Sequence, residues 1–452
     1  MEYYLEWPFG SRGHYHFPNG ISPVLMDFLV RERLRKGENL VFVHDSWNVQ
    51  GKYTDYEAIS QLTGLREEGI DASYREILNS HLPEIMALGR EIANANIKKS
   101  KNLKDTLGLL PSGIYLEGKL RSPLEFRDDS LDSWKIAQQR FLQLYKDGLV
   151  YWNINPQNPE FFLNVKKLIE KVSFEKVTES MDLPDFALKQ FRNAYSVYNR
   201  DMPLSTIRAY GTPIPLIISN KELSFPDLEE LPIETRYKEG KIIGPPIVIK
   251  PLFNCYFIQD VIREQSQISP RNVITCNDQT LITLFNFPQA LLTTYFGRDY
   301  RQKYFFNDLL VDDKEERYSF KGNVLLSLEE LTENGSALVR FLIARNTRFR
   351  GSKLRFEDNR TAFRNLKKTV SQIKTKRIFS QDDERQIFSK MFKEDITNLD
   401  RTYKVIAESG EICRALNFLT DYVLQAHKLE GETLPVSVDH CLKFLETILG
   451  ER

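Results

Sequence analysis

Two histidines, His14 and His16, stand two positions apart in a loop bounded by Gly10 and Gly20. Imidazoles at that spacing could supply half of a metal site, but no carboxylate or third ligand clusters with them. The plain alternative is a loop with one histidine facing water and the other hydrogen-bonded. Further along, Asp45 follows the apolar run Leu40 to Val43. A carboxylate there can cap the next turn or serve a ligand. The segment from Lys314 to Lys321 is a charged turn carrying Arg317, Ser319 and Lys321. Arg345, Arg348, Arg350, Lys353, Arg355, Arg360 and Arg364 make a concentrated basic stretch. Such runs are ordinarily solvated faces, and the alternative is contact with RNA phosphates. Phe349 and Phe356 within it read as core rather than as base-stacking platforms.

The elements that must position these residues begin at the N-terminus. Tyr3 to Trp7 is rich in aromatic, strand-favouring residues. Ser22-Pro23 has the form of an N-cap followed by a first helical residue. Val24, Leu25, Phe28 and Leu29 then share one helical face, and Lys36-Gly37-Glu38 stops the helix. Leu40 to Val43 is a buried-strand run. Strand, loop, helix and strand make a βαβ unit with an expected right-handed crossover. It places the Gly10–Gly20 loop at the carboxyl end of the first strand, the edge where open α/β sheets bind ligands. From about Tyr74 to Pro203 the pattern is mostly helical, clearest over Trp134 to Tyr145. Short strands are expected at Pro213 to Ile218, Pro245 to Ile249 and Val273 to Thr275, and a helix at Leu281 to Tyr295. The chain from about Asp358 reads as helical. No internal repeat or low-complexity tract is present.

Composition bounds the possibilities. The 452 residues imply roughly two to four domains, and 41% hydrophobic content is ample for a core. Lys and Arg total 62, as do Asp and Glu, so no overall basic field advertises nucleic acid, although a local stripe suffices. Cys255, Cys276, Cys413 and Cys441 form no C-x-x-C pair, which argues against structural zinc and for free thiols in a reducing cytoplasm. The N-terminus lacks a basic-then-apolar signal pattern, and no apolar run approaches the ~20 residues needed to span a bilayer.

Several segments, in order, resemble class I aminoacyl-tRNA synthetases of the leucine, isoleucine, valine and methionine group. Glu333-Asn334-Gly335-Ser336-Ala337-Leu338-Val339-Arg340, followed by Leu354-Arg355-Phe356-Glu357, resembles the stretch after that family's catalytic loop. Ser205-Thr206-Ile207-Arg208-Ala209-Tyr210-Gly211-Thr212-Pro213-Ile214-Pro215 resembles Ser-Arg-Gln-Arg-Tyr-Trp-Gly-Thr-Pro-Ile-Pro, the strongest local match. Phe141 to Tyr151 resembles the family's Phe-x-x-Leu-Tyr-Glu-Lys-Gly-Leu-Ile-Tyr helix exit. His16-Phe17-Pro18-Asn19 stands where the family has His-Ile-Gly-His, and Gly13 matches the glycine that lets backbone approach ATP. Pro18 in place of glycine is a departure, because it fixes φ and removes an N–H. Cys276-Asn277-Asp278 stands for Gly-x-Asp, with the aspartate kept and the glycine lost. Arg317 to Val324 is similar to Lys-Met-Ser-Lys-Ser plus Leu-Gly-Asn but one residue shorter. The second lysine becomes Phe320 in one register and Ser319 in the other, with Lys321 just beyond.

The resemblance implies an α/β fold: a Rossmann-like parallel-sheet catalytic core split by a helical connective insertion, followed by an all-α helical bundle. The implied divisions are 1–75 for the first core half with the ATP loop, 76–204 for the insertion, and 205–310 for the second core half. The ATP-loop and stem-contact segment is 311–357, and 358–452 resembles an anticodon-binding bundle. The implied activity is ATP-dependent activation of an amino acid and its transfer to tRNA or another acceptor. The chain between Tyr151 and Ser205 is too short for a large editing domain. His16, Asn19, Lys321 and Arg317 would act at the phosphates, with Mg²⁺. Gly13, His16, Asn19, Asp278, Ser319 and Lys321 would hold ATP, and Asp45, Arg208 and Tyr210 the substrate. The segment 345–364 would touch tRNA. The altered motifs also fit a rival: a catalytically silent, synthetase-derived protein that binds tRNA, an amino acid or a protein partner.

Overall fold

A computed structural model describes residues 1–6, 9–10, 17–50, 52–153, 160–197, 201–209, 211–214, 217–219, 222–224, 247–307, 309–311, 314–316, 335–346, 353–355, 360–376, 378–380, 433–435, 442 and 445. A seven-stranded sheet organises them. In chain order its strands are β1 (Glu2–Glu6), β2 (Leu40–Val43), β3 (Gly113–Leu116), β4 (Lys119–Pro123), β5 (Met181–Asp182), β6 (Asn272–Asp278) and β7 (Arg301–Asn307). The spatial order is β5-β7-β6-β1-β2-β3-β4. β5, β7, β6, β1 and β2 run parallel, and β3 and β4 add antiparallel at one edge.

The helices used below are α1 (Phe17–Arg35), α2 (Lys52–Thr63), α3 (Glu67–Thr106), α4 (Leu131–Lys146), α5 (Phe287–Tyr295), α6 (Ser336–Asn346) and α7 (Arg360–Lys376). Strand alternation splits the interior into two cores. Tyr4, Phe42 and Ile274 face one side, where α1, α6, α7 and the end of α3 pack with Leu442 and Leu445. Tyr3, Leu5, Val41, Val43 and Val273 face the other, with α4, α5 and the segments around Phe161 and Phe253. A central strand covered on both faces reads as a continuous apolar run, which is why Leu40 to Val43 was legible. Among the described residues no helix is long and apolar enough to cross a membrane.

Several expectations change. α1 starts at Phe17 rather than Ser22, so Pro23 lies inside the helix. An internal proline removes a backbone hydrogen bond at a cost of about 3 kcal/mol or more. Burial of Ile21, Val24, Leu25, Met26 and Phe28 outweighs it, at roughly 1.5–3 kcal/mol per large side chain. Pro18 falls in the first turn, where a missing N–H has no intrahelical partner to lose. The stretch expected to be mostly helical from Tyr74 also supplies strands. β3 and β4 form a hairpin turning at Glu117 (φ 53°) and Gly118 (φ 72°), the two positive φ values of a two-residue hairpin loop. Val150–Asn153, Glu160–Leu163 and Met202–Pro203 make a separate three-stranded sheet. α3 breaks at His81, two residues before Pro83, as helices do at proline. Beyond α7, Ile378–Ser380 pairs with Thr433–Pro435, a strand pair in a stretch read as helical.

Candidate functional site

The carboxyl ends of the parallel strands converge with the start of α1. β1 ends at Glu6, β2 at Val43 before His44 and Asp45, and β6 at Cys276-Asn277-Asp278. β1 and β6 are in register there, Glu6 opposite Cys276, and Asp278 lies opposite Asn307 of β7. Ser22 of α1 donates to the Asn307 side-chain oxygen at 3.2 Å, tying the helix to the end of β7. A helix N-terminus presents unpaired N–H groups and a partial positive charge, which suits an anion.

Asp45 is half-buried, and its backbone is fixed from both sides. Its amide and that of His44 both donate to Ser112 Oγ, at 2.8 and 3.0 Å, and its carbonyl accepts from the Phe126 amide at 2.8 Å. His44 is buried, with Nε2 2.7 Å from the Leu110 carbonyl. Burial first, and then the nearby Lys104 charge, push its pKa down to about 4, so the ring is neutral at physiological pH. Neutral, it donates Nε2–H to Leu110 and leaves Nδ1 toward the Asp45 carboxylate, 3.8 Å away.

Behind Asp45, Glu6 and Lys104 are buried side by side. Glu6 is 1% exposed and sits 3.6 Å from Lys104, with no hydrogen bond to either carboxylate oxygen. Burial raises its pKa to about 8, and Lys104 offsets only part of that rise. Lys104 donates to the His44 carbonyl and lies 4.4 Å over the Trp47 ring. Asn277 is also buried, and among the described residues neither polar atom of its amide has a hydrogen-bond partner. Such a group at a ligand-binding edge is chemically available.

Arg208 keeps different company. Its guanidinium lies 5.7 Å over Tyr74, which stacks on Tyr56. Tyr74 donates to the buried Asp55 at 2.6 Å, and the Ala209 amide donates to the same oxygen at 3.2 Å. These contacts dock the stretch from Ser205 to Ala209 onto α2 and α3. Gln50, Asp128, Thr212 and Asn254 form a further buried network joining the two halves of the core.

Gly13, His16, Tyr210, Arg317, Ser319 and Lys321 lie outside the described residues. Asn19 is placed by its backbone in the first turn of α1, and Asp278 at the end of β6. Around Asp45 the structure also gathers Glu6, His44, Lys104 and Ser112, none of which the sequence marks as a candidate. The available signal was a charged residue closing an aromatic strand at Glu6. For Lys104 and Ser112, 60 and 67 or 68 positions from their partners, there was none.

No protein-family model matches the chain, and no curated protein sequence does. Solved structures do. A leucyl-tRNA synthetase from Agrobacterium radiobacter, in a ternary complex with tRNA and LeuAMS, superposes with TM-score 0.69 at 12% identity, over 99% of this chain and 83% of that one. Mycobacterium tuberculosis methionyl-tRNA synthetase, bound by methionyl-adenylate, gives TM-score 0.60 at 10% identity, over 99% and 88%. A second structure of the latter enzyme with the same adenylate gives 0.61 at 10% identity, again over 99% and 88%. At these identities the likeness is one of fold: the chain has the class I aminoacyl-tRNA synthetase fold along almost its whole length.

Proposed function

We propose that the protein activates an amino acid with ATP, forming an aminoacyl-adenylate, and passes the aminoacyl group to tRNA or another acceptor without an editing step. The supporting observation is the arrangement at the sheet edge: Asp45, its backbone held by Ser112 and Phe126, and the start of α1 converge at the carboxyl ends of the parallel strands. In the reaction a carboxylate oxygen of the amino acid bonds to the α-phosphorus, and the bond to the bridging oxygen breaks. Pyrophosphate leaves with the electron pair. Positioning and cationic stabilisation supply most of the rate.

Asp45 takes the ammonium group in this reading, and Arg208 and Tyr210 help to shape the amino-acid side. His16, Asn19 and the N–H groups of α1 receive phosphate, Gly13 permits close approach, and Asp278 takes the ribose. Arg317, Ser319 and Lys321 approach from the second loop. Among the described residues no group of three or more His, Cys, Asp or Glu side chains is placed to hold a metal. Mg²⁺ would be carried mainly by the ATP phosphates, as is usual for nucleotide sites. The basic segment 345–364 is the tRNA contact.

One observation favours the silent-binder reading. Pro18, in the first turn of α1, deprives the phosphate-facing helix end of one N–H donor. Loss of one oriented donor lowers rate by ~10²–10³. Amino-acid-dependent ATP–pyrophosphate exchange, over all standard amino acids with and without bulk tRNA, separates the two. The adenylation reading expects exchange with one amino acid, reduced in Asp45→Asn mainly through a higher amino-acid KM. It also expects weaker ATP binding in His16→Ala with Lys321→Ala. Silence with every amino acid in folded protein would transfer the conclusion to the binding reading.

A further inference from the structure

The turn from Leu107 to Ser112 touches three separate parts of the molecule. On α1, Arg31 donates to the Gly108 carbonyl at 2.6 Å, and Asp27 accepts from the Leu110 amide at 2.8 Å. On α6, Arg340 donates to the carbonyls of Leu107 and Gly108, each at 3.4 Å, and forms a fully buried ion pair with Asp27. At the exit of β2, His44 meets the Leu110 carbonyl, and the His44 and Asp45 amides converge on Ser112 Oγ. The turn is itself stiff. Gly108 ends α3 with φ 67°, the Leu109 amide returns to the Lys104 carbonyl at 3.2 Å, and Pro111 fixes a further φ.

These three parts carry the three components of the site. α1 follows the first nucleotide loop, α6 follows the second, and Asp45 is the carboxylate of the amino-acid side. Six residues of backbone are their common support.

We propose that the Leu107–Ser112 turn is the positioning element of the site. Ser112 sets the backbone of Asp45, and Arg340 with Asp27 sets α6 against α1, so α1, α6 and Asp45 share one reference. Ser112, Asp27 and Arg340 act through these elements and take no substrate role of their own. The proposal rests on the adenylation reading for its kinetic consequences only, and its structural consequences stand without it.

The test uses the full chain with Ser112→Ala, its conservative partner Ser112→Thr, and Arg340→Met. The readouts are peptide-resolved hydrogen exchange and pyrophosphate-exchange kinetics. Ser112→Ala should lower protection of the His44 and Asp45 amides about tenfold, as expected when two buried amides lose their acceptor. β6 should keep its protection. The amino-acid KM should rise about tenfold at unchanged ATP KM, and Ser112→Thr should restore both readouts. Arg340→Met should speed exchange in α1 and at Leu110 as well as in α6. Unchanged protection at positions 44 and 45, loss of protection spread evenly over the chain, or deprotection of α6 alone would each overturn the proposal. So would a fall in kcat at constant KM in Ser112→Ala. Wild-type protein inactive with every amino acid would remove the adenylation reading, and the hydrogen-exchange results would still decide the positioning role.

Discussion

Arg340 and Asp27 are both fully buried, 313 residues apart in sequence, and form a buried ion pair. Burial pushes the Asp27 carboxyl up, but Arg340, Arg31 and the Leu110 amide together hold it below its ordinary value. Burial pulls the Arg340 guanidinium down despite Asp27. Removing one member of such a pair strands the other, so Arg340→Met should destabilise by about 3–5 kcal/mol in urea denaturation. The double replacement Asp27→Asn/Arg340→Met should recover part of that loss, because the carboxylate charge is then gone while an acceptor remains for Arg31 and the Leu110 amide. A double variant no more stable than the single one would refute this account. Asp55 shows the opposite balance. Burial raises its pKa from 3.8 to about 6, against the hydrogen bond from Tyr74, the Arg208 charge and the Ala209 amide. The folded state therefore binds the proton more tightly than the unfolded chain. This stabilising contribution is full below 3.8 and is lost as pH rises through about 6. Asp55→Asn cannot titrate there. Its stability relative to wild type should rise by about 2–3 kcal/mol between pH 3.5 and pH 7, read from paired denaturation curves. A flat difference would mean that Asp55 titrates as an ordinary carboxylate.

At the scale of elements, legibility followed the clarity of the hydrophobic period. α4 places Trp134, Ala137, Phe141 and Leu144 on one buried face, is capped by Ser130 at the Ser133 amide, and ends before Gly148. Each of those signals is local, and the expected Trp134 to Tyr145 segment lies within the helix. The β3–β4 hairpin has no such signal, since every residue of β4 is exposed. What holds it is pairing with β2 and close backbone approach. A Cβ on Gly113 would lie 2.3 Å from the Ser122 carbonyl oxygen, a backbone atom that cannot rotate away. Gly113→Ala should therefore cost about 1–3 kcal/mol in thermal denaturation, the usual scale of overpacking. Melting within a degree of wild type would show that the hairpin shifts freely. The start of α1 was misplaced for a related reason. Ser22-Pro23 is a good local cap signal, but packing against the sheet carries the helix back to Phe17.

At the scale of the molecule, one core reaches from the first helix to the last described residues. Phe28 and Val24 of α1, Leu338 to Ala344 of α6, Leu366 and Ile373 of α7, and Leu442 and Leu445 share one buried cluster. Leu442→Ala or Leu445→Ala should then lower stability by about 2–5 kcal/mol, as buried leucines do. The loss should appear in the same calorimetric transition that Phe28→Ala displaces. Two separate transitions, only one of them moved by Leu442→Ala, would contradict a shared core.

The sequence by itself determined the βαβ start, the buried strands, the helix α4 and the order of segments that resembles the synthetases. Each of these depends on short-range periodicity or on a local run of residue types. Only the tertiary structure decided that Lys104, Leu110 and Ser112, at the far end of a 40-residue helix and the turn after it, hold His44 and the backbone of Asp45. Only it showed that Arg340 completes the same support. A side chain that acts across 60 or 300 residues leaves no periodic trace, because its partner is chosen by the packing of the chain in space.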